Sequence, residues 1–222
     1  MRISPSWLCC IVFGPLCHYL QADKLRIFIV DRVDTPPMVL YDAIKLSARL
    51  LADAGVKTSW KLCPPSSLLP GSRPCVEAGP LALTLRVLPS HEAKALTGRG
   101  NWCGVALSGA AGEYGSSAIV DGGCIAGKSV GMPAEFGIAI LAHVFAHELA
   151  HLLLGRDSHS TGLMRAEWTT AERTLLFRGQ LAFTERDAAR LREAVSERAL
   201  AANGRFPGAP PVSRGGSNVR PD

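Results

Sequence analysis

From residue 24 the stretch KLRIFIVD alternates apolar and polar positions and is rich in Ile and Val, which predicts a β-strand. The period then changes. PPMVLYDAIKLSARLLADAG (36–55) repeats its apolar residues at helical spacing, with Pro at its start and Gly55 at its stop. VKTSWKL (56–62) returns to a strand pattern, so the opening is β-α-β and predicts two parallel strands joined by a crossover helix. Residues 63–80 hold five prolines and read as loop. LALTLRVL (81–88) is a third strand. NWCGVALSG (101–109) and SSAIVDGGCI (116–125) are shorter apolar runs that predict a hairpin or two edge strands.

Pro133 opens a helix over 134–154 that is apolar on nearly every side, and such a helix belongs in the middle of a domain. Thr169 and Glu172 form a capping-box pattern at the head of TTAERTLLF, and Thr184 is the N-cap of a helix over TERDAARLREAVSERAL. From Ala201 the chain is rich in Gly, Pro and Ser and is expected to be disordered. The expected fold class is α/β (α+β): one domain over 23–200, with a mixed twisted sheet, two long helices and a helical C-terminal segment.

Composition narrows the functional classes. The 222 residues are 47% hydrophobic and 19% charged, enough for one real core. A net charge of +5 is spread along the chain without a basic stripe, so no nucleic-acid partner is expected. Residues 1–22 carry a single charge, Arg2, the apolar run WLCCIVFGPLCHYL and the small-residue end LQA. They read as a signal peptide for a secreted or periplasmic protein. Cysteine usage agrees with export. Cys9, Cys10 and Cys17 would leave with the signal, and Cys63, Cys75, Cys103 and Cys124 remain as an even set. Two disulfides in any of three pairings follow. Cys63–Cys75 would close the Pro-rich loop and Cys103–Cys124 would clip neighbouring segments, the alternative being four buried free thiols.

The candidate chemistry lies in HVFAHELAHLLLGRDSH (143–159), where four of the six histidines fall in otherwise apolar sequence. Buried ionisable groups are costly unless something pairs with them. His147-Glu148-Leu149-Ala150-His151 is an HExxH motif. On a helix its two imidazoles, four residues apart, share one face and can grip one Zn²⁺, while Glu148 stands aside to act on a water. His143 shares that face, but the rise of 1.5 Å per residue sets it about 12 Å from His151. One ion cannot bridge that distance, so His143 is expected to line the site or to be a hydrogen-bonded core residue. A membrane span is not expected in the mature chain, because those four groups would cost several kcal/mol in hydrocarbon.

His147, Glu148, His151, Gly155, His159 and Met164 together resemble the metzincin arrangement of zinc peptidases: HExxH, a glycine turn, a third ligand and a methionine turn beneath the metal. The pattern is also similar to short bacterial exported proteins carrying HE..HLLLG...HS..G.MR..W. The spacing departs from the family. Glycine is expected seven and the third ligand ten positions after the first His, and Leu154 and Asp157 occupy those slots here. Gly155 comes one residue late and His159 two residues late. His159 is the expected third ligand and Asp157 its competitor.

The resemblance implies a zinc-dependent peptidase acting on a peptide or protein substrate. His147, His151 and His159 would be metal ligands and Glu148 the general base. An edge strand would pair with an extended substrate, and SSAIVD (116–121) is the candidate for it. Met164 would pack under the site. Arg165 could hold Asp157 or a substrate carboxylate, and Trp102 and Trp168 are expected to be packing residues near the cleft. Asp31 and Asp34 read as a solvated turn. Two other classes fit the same residues: a zinc amidase acting on cell-wall or other non-protein substrates, and a non-catalytic exported binding protein with a structural zinc site. A structural site would close the fourth position with another protein ligand.

Overall fold

The computed structural model of the chain describes residues 24–68, 75–98, 102–107, 115–155 and 157–203. The expected signal at 1–22 lies outside them, as does the expected disordered tail beyond Asn203. Five strands form one mixed sheet: β1 (Leu25–Asp31), β2 (Thr58–Cys63), β3 (Ala82–Leu88), β4 (Gly104–Leu107) and β5 (Ser117–Asp121). Their order is β2-β1-β3-β5-β4; β1 runs parallel to β2 and β3, β3 parallel to β5, and β4 antiparallel to β5. The described residues also form six α-helices: α1 (Pro37–Asp53), α2 (Ser90–Thr97), α3 (Gly122–Ser129), α4 (Ala134–Leu154), α5 (Thr170–Phe177) and α6 (Glu185–Ala202).

The core lies between one face of the sheet and the pair α1 and α4. Leu25, Ile27 and Ile29 of β1 point into it, with Leu83, Leu85 and Val87 of β3 and Ala118 and Val120 of β5. That period of two is what one face of a pleated sheet requires. The other face holds two smaller clusters, around Phe28, Val30 and Cys63 and around Leu88, Ala93 and Ile119. α4 is long and apolar enough to cross a membrane, yet every residue from Ile140 to Leu153 is buried inside the domain. Alanines recur every fourth residue along it, at Ala142, Ala146 and Ala150, and Ala43 and Ser47 are fully buried on α1. Small side chains at this spacing let two helices approach closely.

Four expectations change. The run SSAIVDGGCI is not one strand: it ends at Asp121, whose carboxylate accepts from the Cys124 N–H and caps α3. Two consecutive glycines hid that helix start. SSAIVD is not an edge, because β5 lies between β3 and β4; the edge on that side is β4, and β2 forms the other. The short helix α2 was missed, since eight residues with one buried side chain carry little periodicity. The C-terminal helix also runs two residues beyond the expected limit, to Ala202.

Covalent and polar ties hold this frame. The disulfides are Cys63–Cys75 and Cys103–Cys124, and closing loops of 12 and 21 residues is worth about 3 kcal/mol each. Such bonds fit an oxidising, extracellular or periplasmic setting. The second fastens the head of β4 to the first turn of α3. From α6, the buried Arg198 guanidinium donates to the carbonyls of Pro80 and Gly115, each at 3.0 Å, and to that of Leu152 in the last turn of α4. Asp31 accepts from the Val33 and Thr35 N–H groups, which makes the expected turn.

One buried group works against the core. The Ser47 hydroxyl is fully buried on α1 and has no hydrogen-bond partner. Removing an unsatisfied hydroxyl recovers its desolvation cost. Ser47→Ala is expected to raise stability by about 1 kcal/mol, read as a higher urea midpoint with unchanged slope.

Candidate metal centre

α4 ends in a glycine for a physical reason. The Gly155 N–H closes on the His151 carbonyl at 2.9 Å, and Gly155 then adopts φ 94°, ψ 163°, a region essentially confined to glycine. The chain folds back under the last turn of α4, and Gly162–Met164 forms a single 3₁₀ turn. The Leu163 N–H is held by the Ala182 carbonyl at 2.9 Å, just before α6. Met164 is fully buried in that turn.

This return brings three imidazoles together. His151 Nε2 stands 3.0 Å from His147 Nε2 and 3.1 Å from His159 Nε2. Among the described residues, His147, His151 and His159 form the group of His, Cys, Asp or Glu able to hold one metal ion, and neither Asp157 nor a fourth donor joins it. His147 and His151 are buried and His159 is exposed, so the group opens to solvent on the His159 side.

Protonation follows from the far side of two of the rings. His147 Nδ1 lies 2.8 Å from the Leu163 carbonyl, and His151 Nδ1 lies 3.2 Å from the Gly155 carbonyl. A carbonyl only accepts, so Nδ1 carries the proton in both rings and Nε2 is a bare lone pair. Bare lone pairs about 3 Å apart have no proton to share; they fit a common cation. Charge is disfavoured as well. Burial, with His151 and His159 close by, lowers the His147 pKa to about 4 against the opposing Leu163 carbonyl. Burial is also the main cause that lowers the pKa of His151. Neutral imidazole is the form that ligates metal.

Glu148 lies beside this group and outside it. Glu148 is only 5% exposed, and burial raises its pKa to about 8, with the Ala106 N–H of β4 pulling it down. Glu148 therefore sits against the edge strand, and the contact is tight. A Cβ built on Gly104 would stand 2.6 Å from Glu148 Cγ and Cδ. The sequence reading missed Gly104 and Ala106, because nothing in NWCGVALSG marks a glycine that faces a carboxylate.

The remaining candidates take other places. His143 is fully buried and stays outside the group, with Nδ1 2.7 Å from the Ala139 carbonyl and Nε2 3.1 Å from that of Leu181. Arg165 pairs with Glu172, not Asp157, and Glu172 completes the capping box with Thr169. Trp168 does more than fill space. Its ring meets His143 and His147 edge-on, and its Nε1–H donates at 3.2 Å to the same Leu163 carbonyl that orients His147. Trp102, at the head of β4, is 47% exposed.

Titrated with Zn²⁺ as the probe, the chain is expected to bind one ion. His159→Ala should weaken binding by two orders of magnitude or more, and Asp157→Ala should leave it within a few-fold. Competition against a chromophoric chelator measures both; equal losses would make Asp157 a ligand. The chain matches no known family model, and no curated protein matches it in sequence.

Proposed function

We propose that the chain is an exported zinc-dependent metallopeptidase of metzincin-like type, with His147, His151 and His159 as ligands and Glu148 as general base. The observation that carries the reading is the convergence of three imidazole Nε2 atoms, those of His147 and His151 on neutral rings, beside a buried carboxyl group at the β4 edge of the described sheet. The donor set suits zinc. Ligand bonds of about 2.0–2.1 Å set tetrahedral neighbours about 3.3 Å apart, close to the 3.0 and 3.1 Å between the imidazole nitrogens here. Three protein ligands with no fourth among the described residues is the pattern of a catalytic rather than a structural zinc. Bound Zn²⁺ would supply Lewis acidity, making a water acidic near neutral pH and polarising a carbonyl.

The chain's own groups then divide the work. Glu148 can take a proton from water on its carboxylate, hold it away from solvent and hand it to a leaving amine. β4 can align the substrate. Asp121 N–H donates to the Cys103 carbonyl, so in the antiparallel β4–β5 pair the residues Cys103, Val105 and Leu107 face β5. Gly104 and Ala106 accordingly turn their N–H and C=O groups to the side away from β5, where the Ala106 N–H already meets Glu148 and the remaining groups face outward. An extended peptide pairing there would lie alongside Glu148, which is the support for a peptide substrate. Export is supported by the two disulfides and by the apolar segment at 1–22.

Glu148→Gln is expected to keep zinc and to lower peptide hydrolysis by about 10²–10⁴-fold, measured by metal analysis and a broad peptide library on the same samples. Bound zinc without Glu148-dependent turnover would sink the peptidase reading. Turnover confined to cell-wall peptide would make the chain an amidase.

A further inference from the structure

Ser158 lies between two exposed residues, Asp157 and His159, and is itself only 6% exposed. Its side chain is turned under α4. The hydroxyl proton is committed, since Ser158 Oγ–H donates to the Gly155 carbonyl at 2.6 Å. What the oxygen presents to His151 Nδ1, 3.0 Å away, is therefore a lone pair, and the bond runs from Nδ1–H to Ser158 Oγ and on to the Gly155 carbonyl. Leu163 serves His147 directly, through one carbonyl at 2.8 Å. For His151 the backbone carbonyl is farther, at 3.2 Å, and the hydroxyl is the nearer acceptor.

We propose that Ser158 is a positioning residue of the metal centre, fixing the tautomer and orientation of His151 and the approach of His159 through one hydroxyl. The proposal rests on the three-histidine reading of the site and deepens it. Ser158 is joined by one peptide bond to His159, whose Nε2 must meet that of His151 at 3.1 Å. The hydroxyl thus ties both the ring of one ligand and the backbone of the next to Gly155. It also accounts for the spacing. Glycine one residue late and the ligand two residues late, relative to the pattern the sequence resembles, leave a loop whose inward position is filled by Ser158. Asp157, in the family's ligand slot, is left facing solvent.

The test uses the full chain and Zn²⁺ alone, without reference to turnover. Ser158→Ala is expected to weaken zinc about tenfold, the low end for loss of an outer partner to a ligating histidine, because the Gly155 carbonyl remains. Its melting in chelator should match that of the wild type. Ser158→Thr, which keeps the hydroxyl, should stay within threefold of the wild-type affinity. Ring ¹⁵N shifts of the metal-free protein supply a readout that a purely structural role would not move: His151 as the Nδ1–H tautomer in wild type, and a mixture of tautomers in Ser158→Ala. Unchanged zinc affinity in Ser158→Ala overturns the proposal. So does an affinity loss that tracks a lower melting point in chelator while His151 stays Nδ1–H. A wild type that binds no zinc removes the metal centre and the proposal with it, whereas zinc binding without peptide hydrolysis removes only the peptidase reading.

Discussion

Ionisable side chains on a helix buried on every side must each meet a polar group from elsewhere, and α4 carries four of them within nine residues. His143, His147, Glu148 and His151 all lie in the stretch where no residue is exposed. A buried polar group left unpaired costs about 1–3 kcal/mol, so the surrounding segments must bring acceptors and donors to it. The chain after Gly155 does this. It brings the Leu163 carbonyl to His147, the Ser158 hydroxyl to His151 and the Leu181 carbonyl to His143. Glu148, on the other side, meets the backbone of β4. The loop beyond the motif is therefore a set of hydrogen-bond partners as well as the carrier of a third imidazole.

Those partners are only as fixed as the segment that holds them, and α6 supplies the fixing. Ser160, next to His159, donates at 2.7 Å to Asp187 in the first turn of α6, which also accepts from Thr184 at 2.7 Å. A carboxylate at a helix N-terminus is favoured by the helix dipole, which helps offset its burial. Farther along the same helix, Arg198 grips the last turn of α4 through the Leu152 carbonyl. One helix thus braces both the end of the histidine-bearing helix α4 and the loop that folds back beneath it.

How far the sequence reached depends on the range of the forces involved. The limits of α4 and the caps at Thr169 and Thr184 agree with the pattern, because proline, glycine and side-chain caps act within one turn. His147, Glu148 and His151 were legible because helical spacing alone puts them together. Beyond the helix, the shifted glycine favours His159 over Asp157, and it is the His159 imidazole that lies with those of His147 and His151. Strand order was not legible. SSAIVD and GVAL are equally short and apolar, and which one forms the edge depends on pairing between β3 and β5 that no local pattern records. Gly104, Ala106 and Trp168 escaped for the same reason, since their roles arise only where separate elements meet.

That meeting point joins the two halves of the site. The histidines depend on α4 and the loop after it, whereas the place of Glu148 also depends on β4, through the missing side chain at Gly104 and the Ala106 N–H. β4 is the shortest strand of the sheet, four residues long, and among the described residues it has a neighbour on one side only. Its head is secured by Cys103–Cys124, one residue before Gly104, which fastens it to the start of α3. An edge held by a covalent bond can stay open along its outer side without drifting from α4. The disulfide therefore serves the geometry of the carboxyl group as well as stability, and the three histidines, supported from the other side of the helix, do not depend on it.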